Sequence, residues 1–357
     1  MKIALLGDIA LIGSFDCTCN QNARENVRFI HDLIEDCDFV VGNLEAPLTR
    51  QDTTTACKGV YLRSSPENVG LLQEMGVTHV TLANNHFFDY GNRGANETQD
   101  VLETAGIECV GLNMSPKQLT CGEDRALLDG FCCYSANALQ YGEKPGKVQI
   151  LSYSAVSRFI KLAKEQNCCP IVSAHFGEEG LHYPAVEHMK LFRKLTDLGS
   201  YVLHGTHPHV LQGYEEYSDS LLFYSLGNLC FDSAQTTSIG REYVLSDEQR
   251  KTIIVKIEIV GNRVSTSEFT PLRFDSKGKY YLDMSILAAI QSYSEALAQE
   301  YDTIKLLRRK EKEQFKIGQE KRNVQFFLNR LNYRYVGAFL NGKLHSRAYE
   351  RTFSEYM

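Results

Sequence analysis

Short apolar, β-branched runs alternate with helical periodicity through the first two thirds of this chain, and few architectures accommodate that order. Runs at 3–6, 39–41, 77–82, 108–112, 171–174 and 201–203 read as strands. Helical stretches at 22–37, 66–75, 97–105, 155–165 and 186–198 precede most of them, the third with its apolar face on Val101, Leu102 and Ala105. Gly76, Gly106 and Gly199 stand just past helices, where a left-handed cap favours glycine. Strand, helix, strand, repeated, predicts an α/β fold.

From residue 221 the texture changes. The run 221–225 reads as a strand, and 251–260 with 263–269 read as a β-hairpin, since Gly261-Asn262 suits a tight turn. From about Asp283 the chain turns helical and basic: 281–357 hold 13 Lys and Arg against 9 Asp and Glu, in a chain of net charge −6. Ile286, Ile290, Tyr293, Leu297, Tyr301 and Ile304 follow three-four spacing, the mark of one buried helix face. The run 305–321 mixes both charge signs, which reads as a solvated face or as a surface for a protein partner or an anionic polymer. The expected units are a main domain over 1–275 and a helical, basic extension over 281–357.

Composition removes several classes. Hydrophobic residues at 43% and charged residues at 23% suit a folded chain rather than a disordered one. The mildly acidic balance gives no support for a nucleic-acid partner, which wants a basic face. No apolar stretch reaches the roughly 18–20 residues of a membrane span. The apolar run at 3–6 meets Gly7-Asp8, well short of the about 7–15 residues of a signal peptide core, and reads as the first strand of the fold. Eleven cysteines include the adjacent pairs Cys132-Cys133 and Cys168-Cys169, awkward for compact bridges; reduced thiols and a cytoplasmic location are expected. Cys17-Thr18-Cys19 lacks zinc-finger spacing.

Polar clusters end the apolar runs: Gly7-Asp8; Gly42-Asn43-Leu44-Glu45; Ala83-Asn84-Asn85-His86 with Asp89; His175-Phe176-Gly177-Glu178-Glu179; His204 to His209; and Ser225-Leu226-Gly227-Asn228. In open α/β sheets ligands gather at the carboxyl ends of strands, so these loops can bring distant residues to one point. The assembled set has two carboxylates (Asp8, Glu45), carboxamides (Asn43, Asn84, Asn85) and imidazoles (His86, His175, His207, His209). A mixed oxygen and nitrogen set without thiolate fits zinc, manganese or iron(II), with donors enough for two ions. Pro208 fixes the backbone between His207 and His209, and on an extended segment positions i and i+2 point the same way. Glu178 and Glu179 read as ligands or as a rim, the rim being favoured. Asn228 either caps a turn or reaches the site, and His204 is undecided. His31, His79, His182, His188 and His345 lack such company and read as structural or exposed.

On Gly7-Asp8, Asn43-Leu44-Glu45, Ala83-Asn84-Asn85-His86 with Asp89 and Gly91, His175-Phe176-Gly177, Gly205 to Val210 and Tyr224 to Asn228, in that order, residues 2–235 resemble the poly-γ-glutamate capsule biosynthesis (CapA-like) family of the calcineurin-like metallophosphoesterase superfamily. The resemblance implies a layered α/β sandwich of two mixed β-sheets flanked by helices, with a dinuclear metal site at its edge. It implies Asp8 and His209 as ligands of the first divalent ion, Glu45 or Asn43 in the bridging place, and Asn85, His175 and His207 as ligands of the second. His86 would be the catalytic histidine, oriented by Asp89; Asn43, Asn84 and Asn228 would surround the ligands. The superfamily's first motif is Asp-x-His and its second Gly-Asp-x-x-Asp, whereas here stand Asp8-Ile9-Ala10 and Gly42-Asn43-Leu44-Glu45. The implied activity is hydrolysis of a phosphoester by a metal-activated water, in capsule, exopolysaccharide or polyglutamate metabolism, on a small or polymeric anionic substrate. The rivals are an accessory component of anionic polymer biosynthesis that binds polymer or processes an amide, and a metal-free scaffold.

Overall fold

The apolar residues of the central strands alternate between two destinations, and that alternation builds two layers. A computed structural model of the chain describes residues 1–54, 60–133, 148–236 and 241–318. In β1 (Lys2–Ile9), Ala4 and Leu6 enter one apolar cluster while Ile3 and Leu5 enter another. The first cluster lies under α1 (Ala23–Ile34), whose Ala23, Val27, Ile30 and Ile34 form one buried stripe. The second receives side chains from both sheets, so it is the filling of a sandwich.

The first sheet also holds β2 (Phe39–Leu44), β3 (His79–Thr81) and β4 (Glu108–Val110). Three strands, β5 (Lys117–Cys121), β6 (Asp124–Cys132) and β7 (Cys169–His175), then begin the second sheet, which continues with β8 (Val202–Thr206), β9 (Tyr214–Tyr217) and β10 (Ser220–Phe223). The chain returns to the first sheet as β11 (Asn228–Cys230), makes a small ribbon of β12 (Ala234–Thr236) and β13 (Arg241–Tyr243), and ends its strands with β14 (Lys251–Val260), β15 (Arg263–Phe274) and β16 (Tyr280–Leu282). The spatial orders are β16-β15-β14-β1-β2-β3-β4, with β11 beside β1, and β5-β6-β7-β8-β10-β9. Both sheets are mixed: β1 runs parallel to β2 and antiparallel to β14, and β10 parallel to β8 and antiparallel to β9. The expected hairpin at Gly261-Asn262 is the β14–β15 pair.

Helices cover the outer faces: α2 (Val69–Glu74) and α3 (Gly91–Thr104) beside α1, and α4 (Tyr153–Glu165) and α5 (Val186–Leu195) on the second sheet. Helix α3 starts six residues before the predicted 97, because Gly91 and Gly94 mask its beginning in any reading by propensity. The C-terminal three-four pattern is divided between two helices, α6 (Ser285–Leu297) and α7 (Tyr301–Gly318). Ile286 and Ile290 join the cluster between the sheets, and Leu297 and Ile304 the one beneath the second. No helix among the described residues is long and apolar enough to cross a membrane, and the ten described cysteines are free. Residues 319–357, with His345, lie outside the described residues.

Candidate metal centre

The carboxyl ends of β1, β2, β7 and β8 meet at one edge of the sandwich, and the predicted residues arrive there together. Asp8 is the penultimate residue of β1, Glu45 follows β2, His175 ends β7, and His207 and His209 follow β8. Two glycines permit the approach. A Cβ on Gly7 would lie 2.1 Å from Gly227 O, and one on Gly205 2.2 Å from Tyr224 O. With Gly7 in place, the Asp8 amide donates to Gly227 O at 2.9 Å.

His207 and His209 reach the centre by a route other than the extended segment expected. Strand β8 stops at Thr206, and the two histidines have φ of 100° and 57°. Such backbone in non-glycine residues costs about 1–3 kcal/mol each and persists only where the surroundings impose it. Here the His207 amide donates to Asp8 Oδ2 at 3.1 Å, and Gly180 N donates to Pro208 O at 2.8 Å.

Three trios of ligand-capable atoms result, each with its atoms within 4.8 Å of one another: Asp8, Glu45 and His209; Glu45, His175 and His207; Glu179, His207 and His209. Glu45 Oε1 lies 3.5 Å from His209 Nε2 and 3.8 Å from the Nε2 atoms of His175 and His86. His209 Nδ1 is 3.5 Å from Asp8 Oδ2. His175 Nε2 is 3.0 Å from both His207 Nδ1 and Asn85 Oδ1.

The carboxamides surround this set. Asn43 Nδ2 donates to Asp8 Oδ1 at 2.7 Å and lies 3.2 Å from His175 Nδ1, whose other neighbour is Thr206 Oγ1 at 3.1 Å. Asn84 Nδ2 donates to Leu44 O at 2.8 Å, while its Oδ1 accepts from the amides of His86 and Phe87. Asn228 Oδ1 sits 2.9 Å from His209 Nδ1, so this residue does reach the site. His86 Nδ1 stands 2.6 Å from Asp89 Oδ2, which also accepts from Leu62 N at 2.9 Å.

Asp8, Glu45 and Asp89 are fully buried. Burial pushes the Asp8 carboxyl up, against the His209 charge and the hydrogen bonds from Asn43 and the His207 amide. Burial disfavours the charged form of His209 too, yet the Glu45 and Asp8 carboxylates outweigh it and raise that imidazole to about 9. His204 behaves oppositely: burial lowers it to about 4, and its Nε2 lies 2.6 Å from Leu6 O, away from the centre. His79, His182 and His188 also pack elsewhere, against Phe39, Tyr293 and Phe176. The two acids of the rim separate: Glu178 turns to Arg308 and Lys312, and Glu179 to His207 and His209. The chain turns at Glu179-Gly180, and the two neighbouring carboxylates part there.

The donor set fits divalent ions. It combines imidazole nitrogen with carboxylate and carboxamide oxygen and contains no thiolate, which suits zinc, manganese or iron(II). The 3.5–3.8 Å gaps around Glu45 Oε1 exceed ordinary hydrogen bonds. They approach the roughly 3.4 Å between neighbouring donors of a tetrahedral ion bound at about 2.0–2.1 Å.

Three known proteins are similar to this chain over part of their length. A capsule biosynthesis protein CapA of Bacillus anthracis is 29% identical over 250 residues, covering 66% of this chain and 61% of its own. A PGA biosynthesis protein CapA of Bacillus subtilis is 27% identical over 282 residues, covering 76% and 71%. The chain thus spans less than two thirds of the first relative and somewhat more of the second. A solved NAD nucleotidase from Haemophilus influenzae aligns over 90% of this chain and 61% of its own, at 13% identity and a TM-score of 0.43. Residues 2–233 match the family model described as bacterial capsule synthesis protein PGA_cap, and this chain belongs to that family.

Proposed function

We propose that this protein is a metal-dependent hydrolase, a phosphoesterase acting in capsule, exopolysaccharide or polyglutamate metabolism. One observation carries the reading: the buried Glu45 carboxylate belongs at once to the trio with Asp8 and His209 and to the trio with His175 and His207. A ligand bridging two ions needs that placement. Asp8, Glu45 and His209 would hold the first ion; Glu45, His175, His207 and the Asn85 oxygen would hold the second. Ions there supply Lewis acidity at a phosphoryl oxygen and a water acidic enough to ionise near neutral pH.

The remaining work falls to the chain. Asp89, itself held by the Leu62 amide, fixes His86 with a proton on Nδ1 and leaves Nε2 facing the centre. From there a protonated Nε2 would give its proton to the leaving oxygen, a step typically worth about 10²–10⁴-fold. Asn43 and Asn228 orient Asp8, His175 and His209 from behind.

His86→Ala should keep its metal content by elemental analysis and lose most turnover on a panel of phosphate esters with added manganese. His207→Ala should lose metal. A fully active His86→Ala beside a His207→Ala that keeps its ions overturns the assignment. A second reading is an accessory component whose centre binds carboxylate or acts on an amide of an anionic polymer; a relative from Mycobacterium tuberculosis, 24% identical over 253 residues, carries the name probable polyglutamine synthesis accessory protein. Absence of phosphoester turnover together with binding to polyglutamate selects it.

A further inference from the structure

Helix α7 lies beyond the family-matched stretch 2–233, yet it grips the loop that follows His175. Arg308, 7% exposed, donates Nη1 to Tyr183 O and Nη2 to Glu178 Oε1 at 3.1 Å. Lys312 Nζ adds a bond of 2.8 Å to the same carboxylate, and Glu311 Oε2 accepts from His182 N at 3.1 Å. On the opposite side Gly180 N is tied to Pro208 O, and His182 Nδ1 lies 2.9 Å from Leu211 O. Between these ties stands Glu179: the residue before it is drawn out to α7, the residue after it is fastened to the His207–His209 turn, and its own carboxylate faces both imidazoles.

We propose that α7 is a positioning element of the metal centre, in which Arg308 and Glu311 hold loop 176–185 so that Glu179 serves as an additional oxygen ligand on the His207–His209 side. This rests on the metal-centre reading above. The trio of Asp8, Glu45 and His209 offers few donors of its own, and a carboxylate at the open side meets that need. A nearly buried guanidinium is costly unless its donors are matched, and the fork of Arg308 is spent on two acceptors of this one loop.

The test uses the full chain, stripped by chelator and titrated with zinc against a chromophoric competitor. Glu179→Gln and Arg308→Ala should each weaken one of the two ions by about 10–100-fold, the usual effect of losing a group that supports a metal ligand. The double variant should bind no more weakly than Glu179→Gln alone, because Arg308 acts through Glu179, and Arg308→Lys should recover part of the loss. Circular dichroism of the metal-free proteins checks folding; if Arg308→Ala does not fold, Glu311→Gln takes its place in the cycle. Wild-type affinity in Glu179→Gln, or additive losses in the double variant, overturns the proposal and leaves the metal centre standing. A wild-type chain that binds no zinc overturns both.

Discussion

Glu45→Gln tests the centre at the atom both trios share. Glutamine keeps the volume of the side chain and removes its charge, so the sandwich edge stays filled while the two trios built on Glu45 lose their common oxygen anion. An ion bound only by the folded state stabilises it by RT ln(1 + [L]/Kd), about 4 kcal/mol at a thousandfold excess over Kd. Spread over 357 residues, an unfolding entropy of about 2.1 cal/mol/K per residue makes that worth about 5 °C in Tm. Two ions should therefore raise the wild-type Tm by about 10 °C over the chelated protein. Asp8→Asn touches one trio and should keep about half of that rise; Glu45→Gln touches both and should keep almost none. Calorimetry of stripped protein with and without manganese, paired with elemental analysis, reads both quantities. If Glu45→Gln retains as many ions and as large a shift as Asp8→Asn, the carboxylate is not shared and the two-ion arrangement is wrong.

Gly7→Ala forces a methyl to within 2.1 Å of Gly227 O, so β1 must shift at the residue before Asp8; urea unfolding should show a loss of about 1–3 kcal/mol, accompanied by weaker metal binding, and an unchanged midpoint would contradict the close approach. Burial raises the Glu311 carboxyl from 4.5 to about 7, so the fold prefers its protonated form. That contribution is complete below about pH 4.5 and is lost as pH rises through about 7. Glu311→Gln removes this titration, and its stability relative to wild type should climb between pH 5 and pH 8 in urea midpoints; a constant difference across that range counts against it.

The sequence disclosed those parts whose physical cause is local. Strand β1 shows as an apolar run stopped by Gly7-Asp8, and the β14–β15 hairpin as two β-branched runs around Gly261-Asn262. The meeting of Asp8, Glu45, His175, His207 and His209 was legible because each stands near or just past the carboxyl end of a strand, and strand ends of one sandwich edge lie together. Three things were hidden. The left-handed backbone at His207 and His209 is imposed by contacts with Asp8 and Gly180, distant in sequence. The divergence of Glu178 from Glu179 depends on Arg308 and Lys312, more than a hundred residues on. The grip of α7 itself reads in the sequence only as a run of mixed charge, which solvent-facing helices also display.

Within the stretch Gly42-Asn43-Leu44-Glu45, the carboxamide at 43 and the carboxylate at 45 complement each other. Asn43 Nδ2 lies 2.7 Å from Asp8 Oδ1, inside a pocket where Asp8 and Glu45 are both fully buried. An aspartate at 43 would set a third buried carboxylate against Asp8, and like charges at that distance cannot both ionise without strong opposing charge. A carboxamide instead donates to Asp8 and approaches the Nδ1 edge of His175, tying residues that belong to different trios. The shared carboxylate then falls to Glu45, two positions on and past the end of β2, where one extra methylene lets it stand 3.5 Å from His209 Nε2 and 3.8 Å from that of His175. An amide at 43 with a carboxylate at 45 leaves one acid fewer beside Asp8 and relieves repulsion behind the shared Glu45 oxygen.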